Sequence, residues 1–464
     1  MRFLRFLLLC AFSASVQAQE PPAVEPARFL IETITVESSR KASAGIIEAE
    51  TLLKEGGTYS EDDLRQAVSR VHRLPFVLDA TFSLRKGSER DTYELVIQAN
   101  TARWFFFDRS VQLVGFDQTY NLGSFGDDDS FSFGHSGLIG GRIFVGRAGV
   151  LYGSWGFQRD LTSDSDGARI GYTHYNLFGR GIAADVSFAT NGCCTTQVIP
   201  FGIDPNLSTW EWLDDDQASM SVSVPLSPRR SLQLGWSERH GQALDHARVL
   251  APFFGDQEDF IFDGDQDSRH LEARWVQDTS DEPILPSRGT VLSAGLVYEA
   301  YEARDLRADR YVRGPDGTLE RVGQVDLPDF EGEQLLATAS AIRHWSVTPR
   351  QSVSAGGQIS AGRSRLTNLR VDDLLMPETD LDVYGGSVSG RHLLRLWALR
   401  EPGNMGDLYL DTNVIYSVEA TSPDLGLRNN PLTRLELSTG ITFRNQWGRL
   451  RLLFTYLDLG EVLQ

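Results

Sequence analysis

Past its first eighteen residues the chain has no apolar run long enough to cross a membrane as a helix, which takes about 20 residues. That absence excludes a helical membrane protein. Basic residues are in deficit: 44 Lys and Arg stand against 63 Asp and Glu, for a formal charge of -19. So acidic a chain offers phosphate backbones no basic stripe, and nucleic acid is excluded as a partner. Cysteine is almost missing. Of the 3 cysteines, Cys10 sits in the leader, while Cys193 and Cys194 are adjacent and cannot staple a fold. A strained vicinal bridge and two loop thiols both remain open for that pair. The 8 histidines show no paired ligand spacing. Ser136 in GHSGLIGG lacks the nucleophile-elbow spacing. No catalysis, cofactor or metal site is therefore expected.

What is present begins with a leader. Arg2 and Arg5 precede the apolar run Phe6 to Phe12, and Val16-Gln17-Ala18 supplies small residues for cleavage. The reading is a signal peptide over 1–18 and a linker over 19–27. Its removal takes away two arginines and no acid, so the mature chain is more acidic still.

Residues 28–102 read as a small α+β module. Thr33-Ile34-Thr35-Val36-Glu37 alternates as a half-buried strand. Ser43 is expected to cap a helix through about Lys54, stopped by Gly56-Gly57. Ser60 is expected to cap a second helix, with Asp63 three residues on as an acidic capping-box analogue. Leu64, Ala67, Val68, Val71 and Leu74 form its apolar face. Two alternating runs follow, around Phe82 and Leu84 and around Tyr93, Leu95 and Ile97. The order β-α-α-β-β, with the stretches ITVES, GGTYSEDDLRQAVSRVHRLPFV and ATFSLRKGSERDTYELVIQ, resembles a POTRA domain.

From about Trp104 the pattern changes to repeated strands of about ten residues. Met220, Val222 and Val224 alternate with serines; Leu232, Leu234 and Trp236, then Leu408 and Leu410, then Leu435 and Leu437, and finally Leu450, Leu452, Phe454 and Tyr456 repeat the theme. One apolar and one polar face per strand is the mark of a barrel with lipid outside and a wet lumen, although a soluble sandwich alternates similarly. Tight turns are expected at FVGRAG, NLFGRG, PLSPRR, PILPSRG and SVTPRQ. Long polar loops are expected over 192–217, 242–267, 303–332 and 365–405. The fold expected over 103–464 is an antiparallel transmembrane β-barrel of about 14-16 strands. The strands count to about 14, an even number with both ends periplasmic. Trp104-Phe105-Phe106-Phe107 would form part of an aromatic belt.

Two motifs sharpen this. YTHYNLFGRGIAADVSF and DTSDEPILPSRGTVLSAGLVYE resemble the bacterial surface-antigen superfamily of outer-membrane barrels that carry POTRA domains, the BamA, TamA and two-partner-secretion type. The residues carrying the likeness are Asn176, Leu177, Phe178, Gly179 and Gly181, and Asp278, Asp281, Pro286 and Gly289. Gly179 and Gly181 suit a turn of positive φ, and the two aspartates suit acceptance of backbone N–H groups. The resemblance implies a Gram-negative outer-membrane barrel with its N-terminal module in the periplasm. It further implies assistance to insertion or translocation of polypeptides, the module receiving an unfolded client or partner protein by strand addition along the hairpin of Phe82, Leu84, Tyr93, Leu95 and Ile97. The alternative is a passive channel or structural barrel that docks a periplasmic partner.

The chain departs from that family where an Arg-Gly-aromatic loop tip is usual. Arg391, in GRH, is the nearest equivalent: either a lumen-loop residue or a solvated loop arginine. Asp263, Asp265 and Asp267 mimic the start of a calcium loop, but Ser268 replaces its glycine and Arg274 its terminal glutamate. Solvated loops are expected there.

Overall fold

The computed structural model describes residues 27–116, 131–159, 163–195, 213–242, 258–281, 286–313, 319–326, 329–371, 374–401, 404–421 and 432–459. The expected leader and nearly all of the linker lie outside them, as does the acidic stretch GDDDS.

The N-terminal domain builds a four-stranded sheet and two helices. Strand β1 (Arg28–Ser38) leads through a 3-10 turn (Lys41–Ser43) into helix α1 (Ala44–Glu50). A short strand β2 (Thr58–Ser60) precedes helix α2 (Glu61–His72), and β3 (Val77–Lys86) and β4 (Thr92–Thr101) complete the sheet. The sheet order is β2-β1-β4-β3. The capping box forms as expected: Ser60 Oγ accepts from the Asp63 N–H at 3.2 Å, and Asp63 Oδ2 accepts from the Ser60 N–H at 2.9 Å. Leu64, Ala67, Val68 and Val71 are buried on the sheet side of α2.

The first helix differs from expectation. It stops at Glu50, and Ser43 does not cap it: the Ser43 hydroxyl is buried and donates to the Arg40 carbonyl at 2.8 Å. Leu52 already turns with φ 57°, four residues before Gly56 (φ 77°).

The barrel comprises β5 (Phe105–Phe116), β6 (Phe131–Val145), β7 (Gly149–Arg159), β8 (Ser163–Leu177), β9 (Ile182–Thr195), β10 (Leu213–Ser227), β11 (Arg230–Gln242) and β12 (Glu258–Asp278). It continues through β13 (Gly289–Arg313), β15 (Phe330–Thr348), β16 (Gln351–Val371), β17 (Leu374–Glu401), β18 (Asn404–Thr421), β19 (Leu432–Asn445) and β20 (Gly448–Leu459). The short β14 (Leu319–Asp326) pairs with the far end of β13. Each of the fifteen barrel strands pairs with its neighbours, β12 with β13 and β20 with β5, so the ring is closed.

Two expectations are corrected. Among the described residues the count is odd, and the sheet is mixed: β20 runs parallel to β5, from Gly448↔Phe107 to Leu457↔Phe116, while every other described barrel pair is antiparallel. Hence the ends of β5 and β20 do not meet at one rim; Leu459 lies at the rim opposite Phe105. The strand that sequence reading missed is β17. Its residues read as part of a 365–405 loop because Gly385, Gly386, Gly390 and several charges interrupt the apolar alternation. They nonetheless pair on both sides. The acidic stretches WLDDDQ and FDGDQDSRHLE, expected in loops, lie from Leu213 onward on β10 and wholly on β12. Cys193 and Cys194 lie on β9, opposite Leu213 and Asp164 respectively.

The apolar faces point outward. Met220, Leu234, Leu437, Ile441 and Leu452 are exposed on the outer surface, whereas the lumen side of the same strands is polar. On that inner wall Asp185 accepts from Tyr152 (3.0 Å) and Thr173 (2.6 Å), and Arg169 donates to Ser187 at 2.7 Å. A sandwich would bury the apolar side; a closed ring that exposes it is the lipid-spanning arrangement. The connections β6–β7, β8–β9, β10–β11, β15–β16 and β19–β20 take two to four residues each. All lie at the rim where the N-terminal domain enters β5.

Candidate functional site at the domain–barrel junction

The domain seats on the short-turn rim through two turns. The first follows β8. There Phe178, Gly179 and Gly181 all have positive φ (57°, 67° and 67°), and Asn176 Oδ1 accepts from the Gly181 N–H at 2.8 Å. This packs Gly181 against Leu52 so tightly that a Cβ would strike the leucine side chain. Phe76, fully buried, meets Phe144 of β6 and Tyr175 of β8 edge-on, with centroids 5.1 and 6.0 Å away. Ala148 and Val150 join the same core, so the domain and the rim share one hydrophobic cluster.

The second turn follows β12. Asp278 Oδ1 accepts from the Ser280 N–H at 2.8 Å, and Asp281 Oδ1 accepts from the Ser287 and Arg288 N–H groups at 2.8 and 3.2 Å. Gly289 (φ 114°) closes the turn where a Cβ would meet the Thr279 carbonyl. Pro286 is buried beside it. The turn presents its groups to α2: Arg73 Nε lies 3.1 Å from Asp278 Oδ2, and Arg73 Nη2 donates to the Ser280 carbonyl at 3.2 Å. Ser69 Oγ donates to that carbonyl at 3.2 Å as well. Beneath, Arg70 pairs with Glu50 at 2.6 Å. Burial pushes the Glu50 carboxyl above its ordinary pKa, against the pull of Arg70 and Arg73. Burial also lowers Arg73, which the Asp278 charge partly restores. Both barrel motifs singled out in the sequence are thus docking turns.

The residues of the expected client-binding hairpin divide between an edge strand and an internal one. Phe82 and Leu84 lie on β3, the outermost strand, whose far edge carries no strand among the described residues. Tyr93, Leu95 and Ile97 are corrected: they lie on β4, which pairs with β3 on one side and in parallel with β1 on the other. Leu95 and Ile97 are fully buried. A strand flanked on both edges has no backbone groups left to offer.

Arg391 is also corrected. It stands on β17, inside the wall, and binds Asp411 of β18 through Nε (2.9 Å) and Nη2 (2.5 Å). The supposed calcium mimic fails for the same reason: Asp265 and Asp267 sit along β12, and Asp267 pairs with His240.

The seam between β5 and β20 was not anticipated. Asp108 of β5 accepts from Arg449 Nε at 3.0 Å and from Arg451 at 3.4 Å. The alternation of Arg449 and Arg451 with Leu450 and Leu452 contained the signal, since it turns both arginines to the lumen. These groups line a cavity of about 930 Å³ at the lower end of the lumen, to which the domain contributes Pro75, Leu78 and Ala102. The domain, the seam and the lumen mouth therefore adjoin.

No protein-family model and no curated protein sequence matches the chain. Among solved structures, BamA from Haemophilus ducreyi lacking POTRA domains 1-3 is similar at a TM-score of 0.39 and 11% identity, over 94% of this chain and 82% of that one. The unliganded ferric citrate transporter FecA gives 0.35 and 8%, over 78% and 59%. The ferric-catecholate import receptor Fiu from E. coli K12 gives 0.35 and 8%, over 77% and 65%. The class rests on the chain's own geometry: a closed, fifteen-strand barrel with a polar lumen and an α+β domain docked at its short-turn rim.

Proposed function

We propose that the chain is a Gram-negative outer-membrane barrel that assists insertion or translocation of polypeptides. Its N-terminal domain, POTRA-like in element order, works in the periplasm, the side that short turns face in such barrels. The observation that carries this reading is the open edge of β3. An extended client added there gains main-chain hydrogen bonds whatever its sequence, which suits unfolded polypeptide. The docking turns hold that edge at a fixed place relative to the lumen mouth and to the parallel seam. Parallel pairs are somewhat less stable per residue than antiparallel ones, so the seam is the natural place for the ring to part. The partners are outer-membrane lipid around the apolar wall and a polypeptide client or periplasmic protein at β3. No catalytic step is invoked.

The test is site-specific photocrosslinking from Thr81 or Ser83, both exposed on β3. Capture of unfolded outer-membrane or secreted polypeptides is expected there, and not from Glu48 on α1. Equal capture at both positions contradicts strand addition. A second reading, a passive channel, draws on the Ser- and Gln-rich inner wall of β15–β17; it predicts steady conductance that outlives removal of the domain.

A further inference from the structure

The end of the lumen that the N-terminal domain faces reverses the charge of the chain, which as a whole carries -19. The cavity of about 930 Å³ there is lined by six arginines: Arg142, Arg169, Arg391, Arg444, Arg449 and Arg451. Among the described residues only three acids line it with them, Asp108, Asp166 and Asp411.

Register and contacts join most of these groups into one wall. Arg444 on β19 is the direct cross-strand partner of Arg449 on β20, which in turn is opposite Asp108 on β5. Directly opposed residues of an antiparallel pair have Cβ atoms about 5 Å apart, so two like charges stand side by side. Asp108 accepts from Arg449 Nε at 3.0 Å and from Arg451 at 3.4 Å. Phe106 is the preceding inward residue of β5, about 6–7 Å along the strand. The Arg142 guanidinium stands over it, 4.6 Å from the ring centroid. Across the lumen end, Arg391 donates to Asp411 from Nε at 2.9 Å.

The acids sit deeper than the cations they hold. The Arg449 and Arg391 side chains are each 45% exposed, against 26% for Asp108 and 22% for Asp411. Arg169 likewise stands above Asp185, 4.0 Å away. On an inner wall that exposure is to the lumen, so a solute meets guanidinium groups first. The protein also leaves donors over. Arg142 Nε and Arg451 Nε are buried with no hydrogen-bond acceptor among the described residues. A guanidinium offers five N–H donors in a planar fork, which fits two oxygens of one anion side by side. Low-dielectric walls of one charge sign concentrate the field on whatever enters.

We propose that this end of the lumen binds a small soluble oxyanion of the phosphate class, held between Arg142 and the wall of Arg444, Arg449 and Arg451. The site needs only the inner wall, so it stands whether or not the barrel handles polypeptides.

The test is equilibrium dialysis of the full chain, folded in detergent, against labelled inorganic phosphate at low ionic strength. Saturable binding is expected, and equimolar chloride, which cannot use the fork, should not displace it. Arg451→Gln should weaken binding about tenfold, and Arg451→Lys, which keeps the charge but loses the fork, should restore part of it. Asp411→Asn removes a negative charge and releases Arg391, so it should tighten binding, a gain that damage to the fold would not give. Heat-modifiable gel migration checks that each variant is folded; should Arg451→Gln fail to fold, Arg142→Gln reads the same loss. Absence of saturable phosphate binding, displacement by equimolar chloride, unchanged affinity in the folded Arg→Gln variants, or no gain in Asp411→Asn overturns the proposal. So does binding of a glutamate-rich peptide where inorganic phosphate does not bind.

Discussion

Asp108 on the first barrel strand accepts hydrogen bonds from Arg449 on the last, with Nε at 3.0 Å, although the two residues are 341 positions apart in the chain. Arg451, two residues on, reaches the same carboxylate at 3.4 Å. One acid therefore holds two cations across the parallel pair that closes the ring.

Asp108→Asn leaves Arg449 and Arg451 facing each other without a counter-charge. Both arginine side chains are partly exposed, so the expected loss is modest, about 1–2 kcal/mol. Urea unfolding of the folded barrel in lipid vesicles measures it. Asp411→Asn, inside the continuous antiparallel wall, should leave seam crosslinking between cysteines at Val111 and Leu452 unchanged, whereas Asp108→Asn should reduce it.

Gly181→Val should loosen the domain from the rim. The residue sits at φ 67° against Leu52. The left-handed backbone alone costs a β-branched residue about 1–2 kcal/mol, and the steric conflict adds to it. Limited proteolysis between Ala102 and Trp104 should accelerate, with the barrel fragment keeping its heat-modifiable migration.

Phe76 belongs to the domain core and to the junction at once. Phe76→Ala should cost about 3–5 kcal/mol in domain stability. Phe144→Ala, which removes only the barrel partner of that edge-on pair, should release the domain without unfolding it. Hydrogen exchange separates the two: protection of α2 is lost in the first variant and kept in the second.

Glu50 sets a pH dependence. Its folded pKa lies above the ordinary carboxylate value because it is buried. Folding then favours the protonated form. Its contribution is most favourable below the unfolded pKa and is lost as pH rises through the raised folded value. Glu50→Gln should match the native chain at low pH and gain stability relative to it above that window. Exchange protection of α1, corrected for intrinsic rates, follows the difference.

Much of this was legible in the sequence, for physical reasons. The capping box at Ser60 and Asp63 and the apolar face of α2 are local, so local pattern sufficed. Outer and inner faces were legible wherever Leu alternated with Ser or Thr, as at Met220 and Leu234. What escaped depends on distant pairing. Strand β17 carries glycines and charges that read as loop until β16 and β18 flank it. Leu95 and Ile97 read as edge residues because nothing local announces that β1, some sixty residues earlier, pairs with β4. The Asp108–Arg449 seam joins the two ends of the barrel, and no short-range pattern encodes which strands close a ring. The docking turns were recognised as turns, but their role in seating the domain emerged only with Leu52 and Arg73 in place.

The central claim is that the domain hands polypeptides to the barrel. The most direct measurement deletes residues 28–102 and follows, in the same cells, the levels of folded outer-membrane and secreted proteins alongside the conductance of the truncated barrel. The account predicts a fall in those proteins while the barrel itself still inserts and migrates as folded. Unaltered levels, together with an intact conducting barrel, would contradict it.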